Sequence, residues 1–443
     1  MRRALAAFAA AIAAAIAAAV SFEPAQGLGR PGLTPVPCPS QQWAPVDPAI
    51  QPLAGAKAFA GHYSGGVYQI EIPDKWNGEL MLSAHGFRGN GGANGSRLEV
   101  QPPAVRERLI DGGFAWAASS YRCNGYVPGI GLEDTMALTD LFAKFNGGTA
   151  PRRVYLTGTS MGGHVTLLGM HEFPTSFAGG LAMCPAGPEL FDFFTASAAA
   201  AEAITGVQLQ STATLDEDLT RIEALLGAPP NYTERGRQLA SVQIQLTGGP
   251  RPFAVEGLGG RFTANLRSGA AALAGGTSPA NRAVSTTHIR YSLDDALGLS
   301  SDRLNQTVRR KTADADVRNP MGPHEEVVPF DGRIERPLLT MHGTGDLFVP
   351  IHLQQILNRA VTAAGRQDLL VQRIYRIPDH CRFSVEEQWK AFDDLVKWVR
   401  EGTTPAGDNV MGDLRNAGTT FTQPRRDGDP GTLTVAASQR SQP

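Results

Sequence analysis

Net charge is almost absent from this 443-residue chain: 40 Lys and Arg face 42 Asp and Glu, leaving −2 at pH 7. That balance removes the broad electrostatic case for a nucleic-acid binder or a polybasic membrane-surface protein, and it points to a small or neutral partner. Cysteine is scarce, four in all, and no Cys and His other than the adjacent His380-Cys381 stand close enough for a zinc half-site. No Gly-x-x-x-x-Gly-Lys-Ser/Thr pattern and no dinucleotide fingerprint after a strand occurs, so no cofactor and no metal is implied. The 50 Gly and 31 Pro follow no three-residue period, which excludes a collagen-like chain. With 42% hydrophobic and 19% charged residues, the chain can bury a large core and is not polar enough to be disordered.

What is present begins at the N-terminus. Arg2 and Arg3 precede an apolar run from Ala4 to Val20, and Pro24-Ala25-Gln26-Gly27 follows with the small residues a signal peptidase favours. Residues 1–27 are therefore read as a signal peptide, with Arg2-Arg3 also suiting a twin-arginine route. The alternative is a retained anchor helix, although the run is mostly Ala, less apolar than a typical anchor, and no stable membrane anchor is expected. Cys38, Cys123, Cys184 and Cys381 all lie beyond it, and an even number in an exported protein suits two disulfides with three connectivities open.

Periodicity then predicts a leading hairpin from Gly61–Tyr63 and Val67–Ile72, strands at Leu80–Ala84 and Phe114–Ala118, and room for a helix within Val100–Ile110. A helix over Leu132–Phe145, a strand at Arg153–Thr157, a helix at Met161–Met170 and a strand at Gly179–Met183 follow. Such alternation argues for an α/β fold, a doubly wound and mostly parallel sheet with helices on both faces. It stops from Glu189 to about Phe330, where Ala- and Gly-rich sequence holds helical patterns at Leu190–Ala203, Leu215–Leu226 and Arg235–Gln245. It resumes with a strand at Pro337–Met341, a helix at Ile351–Ala364, a strand at Leu370–Ile377 and an amphipathic helix at Val385–Arg400. The expected organisation is a catalytic core of 28–188 and 331–407, split by a cap of 189–330, with a loosely attached C-terminal extension of 408–443.

Gly158-Thr159-Ser160-Met161-Gly162 fits Gly-x-Ser-x-Gly, and it sits between a predicted strand and a predicted helix, where the pattern has mechanical meaning. A nucleophile on such a turn takes a strained backbone conformation that needs small flanking residues. Serine also needs a general base, usually His, held by a carboxylate. In a doubly wound sheet these partners belong at the carboxyl ends of later strands, in the order Ser, acid, His. Asp346, in His342-Gly343-Thr344-Gly345-Asp346, and His380, after the strand ending at Ile377, meet that requirement. Asp379 is a minority alternative acid, because a neighbour in sequence normally points away from the imidazole. The other histidines have plainer readings: His62 in the hairpin, His164 and His171 behind Ser160, His352 opening a helix, His288 and His324 in the cap, and His342 supporting the acid loop. Backbone donors for an oxyanion are expected from Met161 and from Phe87, the latter on His85-Gly86-Phe87 ahead of the run Gly89-Asn90-Gly91-Gly92.

With these residues placed, the chain resembles the α/β-hydrolase superfamily, and more narrowly secreted serine hydrolases of the esterase and depolymerase kind with a large cap. The resemblance covers about 60–335 discontinuously and then 336–405. It implies Gly158–Gly162 as nucleophile elbow, Asp346 as acid and His380 as base. Asp379-His380-Cys381-Arg382-Phe383 also resembles a His-Cys-x-Phe pattern of some exported esterases, with Asp379 where those carry Gly. It further implies that Cys184 pairs with Cys381 beside the histidine, leaving Cys38 for Cys123.

The expected activity is hydrolysis of a carboxylic ester, small or polymeric, through an acyl-enzyme. Amide cleavage by an aryl-acyl amidase or a peptidase would use the same triad. Phe191, Phe193 and Phe194 could line an aromatic acyl pocket or simply form cap core. A non-catalytic binding protein on this fold is the third reading.

Overall fold

The computed structural model describes Cys38 and residues 43–89, 96–315 and 330–424. The expected signal peptide, Asn90-Gly91-Gly92 and His324 lie outside these residues. Eight strands form the central sheet: β1 (Ala56–Tyr63), β2 (Gly66–Pro73), β3 (Glu79–Ala84), β4 (Ala115–Ser119), β5 (Arg153–Thr159), β6 (Gly179–Met183), β7 (Leu338–Gly343) and β8 (Leu370–Tyr375). Their spatial order is β8-β7-β6-β5-β3-β4-β2-β1. β1 and β2 form the antiparallel hairpin, β2 is antiparallel to β4, and every other pairing is parallel. Strands such as Ala-Trp-Ala-Ala-Ser of β4 are buried along their whole length, as expected where helices cover both faces.

One face carries α2 (Pro128–Met136), α3 (Leu138–Phe145) and α4 (Met161–Glu172), packed with α12 (His352–Ala363) around Leu82, Leu156, Leu168 and Leu338. The opposite face carries α1 (Arg106–Asp111) and α13 (Val385–Glu401), whose Phe392 and Leu395 pack with Trp116, Tyr155 and Met341. The helix expected over Leu132–Phe145 is two helices, meeting at Ala137. The first starts earlier, at Pro128, and is buried on nearly every side, so it shows no polar face from which its start could be read.

Between β6 and β7 the chain forms α5 (Glu189–Thr205), α6 (Leu215–Leu226), α7 (Glu234–Leu246), α8 (Ala254–Gly259), α9 (Phe262–Leu273), α10 (Pro279–Ala283) and α11 (Ser301–Thr307). These helices have an apolar core of their own, with Ala198, Ile222, Leu239 and Leu266 among its buried members. Helix α9 escaped the sequence reading because Ala and Gly at its contact positions give little contrast between faces.

The extension is not loosely attached over its described part. Residues 405–424 run beside β8, an edge strand whose outward backbone groups need partners. The Ile374 amide donates to Asp408 Oδ2 (2.7 Å), the Arg376 amide donates to Thr422 Oγ1 (2.7 Å), and Val410 and Leu414 are buried against Ile374. Residues 425–443 are outside the described part. Cys38 is bonded to Cys123 (Cα–Cα 5.8 Å) and Cys184 to Cys381 (5.7 Å). Among the described residues no helix is long and apolar enough to cross a membrane.

Candidate active site

Ser160 stands at the junction of β5 and α4, with φ 62° and ψ −118°. A non-glycine residue held at positive φ is strained, and its surroundings must fix it there. Here the Ser160 amide donates to Met183 O (2.9 Å), and its carbonyl accepts from the amides of His164 and Ala186. The flanking glycines are required by space. A Cβ on Gly158 would sit 2.0 Å from Gly162 O, and one on Gly162 would sit 2.0 Å from Ala84 O.

His380, in the loop after β8, and Asp346, in the turn after β7, meet the serine as the sequence order requires. His380 Nε2 lies 2.8 Å from Ser160 Oγ, and His380 Nδ1 lies 2.5 Å from Asp346 Oδ2. The other carboxylate oxygen of Asp346 accepts from the amides of Val349 (2.9 Å) and Phe348 (3.1 Å). Burial raises the Asp346 pKa, but the charge and hydrogen bond of His380, helped by His342 and the Val349 amide, outweigh it and leave the carboxyl below its ordinary value. The group is thus an anion held at the Nδ1 side of the imidazole.

The minority acid, Asp379, has another role. Its Oδ1 accepts from the His380 amide (2.7 Å), and its carboxylate faces Arg261 (3.6 Å) and Arg382 (3.8 Å). His342 supports the acid turn as expected: fully buried, it donates from Nε2 to Val349 O (2.8 Å) while Nδ1 accepts from Gln354. Burial, the largest influence, drives its pKa down to about 4, so it is neutral at pH 7.

Phe87 and Met161 both border the serine. Gly86 approaches so closely that a Cβ there would lie 3.3 Å from Ser160 Cβ, and Phe87 lines the same cavity as Ser160. His85 anchors this loop, with Nε2 2.9 Å from Ser120 O and its ring stacked on Tyr121 at 3.8 Å. The amides of Met161 and Phe87 make no hydrogen bond with the described residues. That leaves both donors free for a ligand atom.

The Cys184–Cys381 disulfide abuts the histidine, with Cys381 Sγ 3.4 Å from His380 Nε2. Donor atoms of Cys184, Cys381, Asp346 and His380 lie within 4.8 Å of one another, but the sulfurs are bonded to each other and Asp346 is engaged with His380. A metal would need both arrangements undone.

Sequence reasoning missed the ties from the 189–330 segment to the acid turn. Buried Arg251, between α7 and α8, donates Nε to Thr344 O (2.7 Å) and Nη1 to Gly249 O (2.8 Å). Burial lowers its pKa to about 10 against the pull of Asp346, the anion nearest in influence. Asn265 donates to Leu347 O (2.9 Å), and Gly257 lies so close that a Cβ would fall 1.9 Å from Gly345 O. One arginine among many carries no pattern that could have singled it out.

The cavity over Ser160 measures about 360 Å³, within the range of small-molecule sites. Phe191 and Phe194 line it, whereas Phe193 turns away and packs on His352 and Phe194. The three neighbouring phenylalanines thus divide between wall and core.

No protein-family model matches this sequence, and no curated protein does. Similar solved structures include feruloyl esterase B from Aspergillus oryzae, at 16% identity over 82% of this chain and 86% of that one, with a TM-score of 0.41. An esterase from Aspergillus oryzae has 17% identity over 79% and 80%, with a TM-score of 0.41. An acylaminoacyl peptidase in complex with Z-Gly-Gly-Phe-chloromethyl ketone has 13% identity over 80% of this chain and 43% of that one, with a TM-score of 0.39. This chain spans less than half the length of that peptidase. It is by the order of its strands, and by the turns after β5, β7 and β8 that this order brings together, that the chain has the α/β-hydrolase fold.

Proposed function

We propose that this chain is a serine hydrolase that cleaves a carboxylic ester through an acyl-enzyme on Ser160. The observation that carries the reading is the unbroken hydrogen-bonded series from Ser160 Oγ through both nitrogens of His380 to buried, ionised Asp346. In the first half-reaction His380 Nε2 takes the proton of Ser160 Oγ as the oxygen attacks the ester carbonyl. The developing oxyanion is met by the amides of Met161 and Phe87. His380 then gives the proton to the departing alcohol, and the acyl group remains on Ser160. Water enters, gives its proton to His380, attacks the acyl carbon and releases the acid, returning the proton to Ser160. Asp346 holds the Nδ1–H tautomer and stabilises the imidazolium in both halves.

The two disulfides support folding in an oxidising compartment, and so an exported protein whose leader is 1–27. The helices of 189–330, which overhang Ser160 through Phe191 and Phe194, act as its cap. The test is parallel hydrolysis of a matched aryl ester and aryl anilide, with Ser160→Ala as control. Ester turnover that falls by at least about 10⁴-fold in the variant, with folding intact, is expected. Comparable anilide turnover moves the assignment to an amidase. Full activity of Ser160→Ala refutes it.

A further inference from the structure

The cavity over Ser160 is walled by aromatic rings from four separate parts of the chain. Phe87 comes from the loop after β3, Tyr126 from the loop after β4, Phe191 and Phe194 from α5, and Phe348 from the acid turn. These rings hold one another in place. Tyr126 meets Phe191 edge to face at 5.2 Å, and its hydroxyl lies 2.9 Å from His164 Nδ1. Phe194 packs on Phe348 at 5.7 Å, and Phe348 is clamped between the Arg261 guanidinium (4.6 Å) and the His380 ring (5.4 Å). Phe87 is 44% exposed, an unusual state for so large an apolar side chain beside a nucleophile.

Two further features set the orientation and chemistry of an occupant. The walls include Ser160 and Phe87 but not His380, which must face the leaving oxygen, so the cavity lies on the acyl side of the scissile bond. Besides the rings, Ser268, Ser278 and Asn281 line the cavity. Ser278 Oγ accepts from the Asn281 amide (3.2 Å), which leaves its hydroxyl proton to donate elsewhere.

Resting on the hydrolase reading, we infer that the substrate is an ester whose acyl part carries an aromatic ring with a hydrogen-bonding substituent. A flexible alkyl chain gains only area from such walls. A flat ring gains, in addition, the offset-stacked and edge-to-face contacts that fixed rings offer, and a polar substituent can meet the Ser278 hydroxyl and the Asn281 side chain that line the same cavity.

The experiment compares kcat/KM for p-nitrophenyl esters of one leaving group: acetate, hexanoate, nonanoate, 3-phenylpropanoate and 3-(4-hydroxyphenyl)propanoate. The 3-phenylpropanoate should exceed the nonanoate, which has the same carbon count, at least tenfold, and the hydroxylated ester should be at least as good as its parent. Phe191→Leu and Phe194→Leu should each reduce the aryl-to-alkyl ratio severalfold. A ratio at or below one in the unmodified protein overturns the inference. A hydroxylated ester slower than a third of its parent overturns the polar part of it. Phosphonate labelling of Ser160 together with acetate turnover isolates these outcomes from a failure of the hydrolase reading, which would show as neither labelling nor turnover of any ester.

Discussion

The sheet framework and the helical segment between β6 and β7 solve packing in opposite ways. In the framework, large side chains such as Trp116, Tyr155, Phe392 and Leu80 fill the space between layers. In the segment, α5 buries the run Ala198-Ala199-Ala200-Ala201, and α9 brings Gly269 so close that a Cβ would lie 2.1 Å from the Phe194 carbonyl. Small residues trade buried area for close approach of backbones, and close approach lets α5 turn Phe191 and Phe194 toward Ser160. The framework therefore holds Ser160, Asp346 and His380, while both regions wall the cavity over Ser160.

The largest test of that division lies in the framework. Asp346→Asn should leave the fold intact but lower kcat about 10³- to 10⁴-fold, since the amide cannot hold the required imidazole tautomer. A loss below tenfold would mean that His380 is oriented by something else. Next come the two glycines. Gly162→Ala and Gly269→Ala each force a Cβ into backbone, at 2.0 and 2.1 Å, and each should cost about 3 kcal/mol or more in denaturant unfolding. If the regions divide the work as argued, the surviving activity of Gly162→Ala should show a reduced kcat, and that of Gly269→Ala mainly a raised KM.

Arg251→Met probes the seam between the regions. It strands the buried carbonyl of Thr344 and the half-buried carbonyl of Gly249 and removes a buried cation in the field of Asp346, so a loss of about 2–3 kcal/mol in unfolding free energy is expected. An unchanged unfolding midpoint would show the helical segment between β6 and β7 to be energetically separate from the turn after β7.

The gentlest perturbation is pH. Burial, the leading cause in each case, lowers His85 and His352 to about 3 and His342 to about 4, and all three belong to the framework. The unfolded chain takes up these protons near pH 6.5, so the stabilisation is complete above that value and is lost as pH falls toward 4. Each of these histidines, His342 fully buried and His85 and His352 half-buried, can remove up to about 1.4 kcal/mol per pH unit in that window. The melting temperature should therefore decline steadily between pH 6.5 and 4.5, before most carboxylates titrate. A flat profile would contradict the neutral state of these rings.

Much of the framework could be read from local signals. The strands at Leu80–Ala84 and Gly179–Met183 match β3 and β6 almost residue for residue, because short apolar runs between turn residues suit few other structures. Helix α13 was legible from its strongly two-faced pattern, and it begins on a Ser384–Glu387 capping box. Helices α8 and α9 were not, since Gly257 and Gly269 read locally as breaks while close approach to Gly345 and Phe194 makes them useful. The extension after Pro405 was misread for a related reason: Asp408 and Thr422 look like solvated polar residues until an edge strand supplies the backbone groups they bind.

By itself the sequence singled out Ser160, Asp346 and His380 as residues the fold would bring together, since a Gly-x-Ser-x-Gly turn and two strand-end loops in the order Ser, acid, His are constraints of local backbone geometry and chain order. Only the tertiary structure decided that Asp379 caps the His380 amide while Asp346 meets the ring, that Arg251 braces the acid turn, and that Phe191 and Phe194 face Ser160 while Phe193 does not. Those outcomes depend on which segments meet across long separations in the chain, and side-chain type carries no information about its partner until the fold has brought the two together.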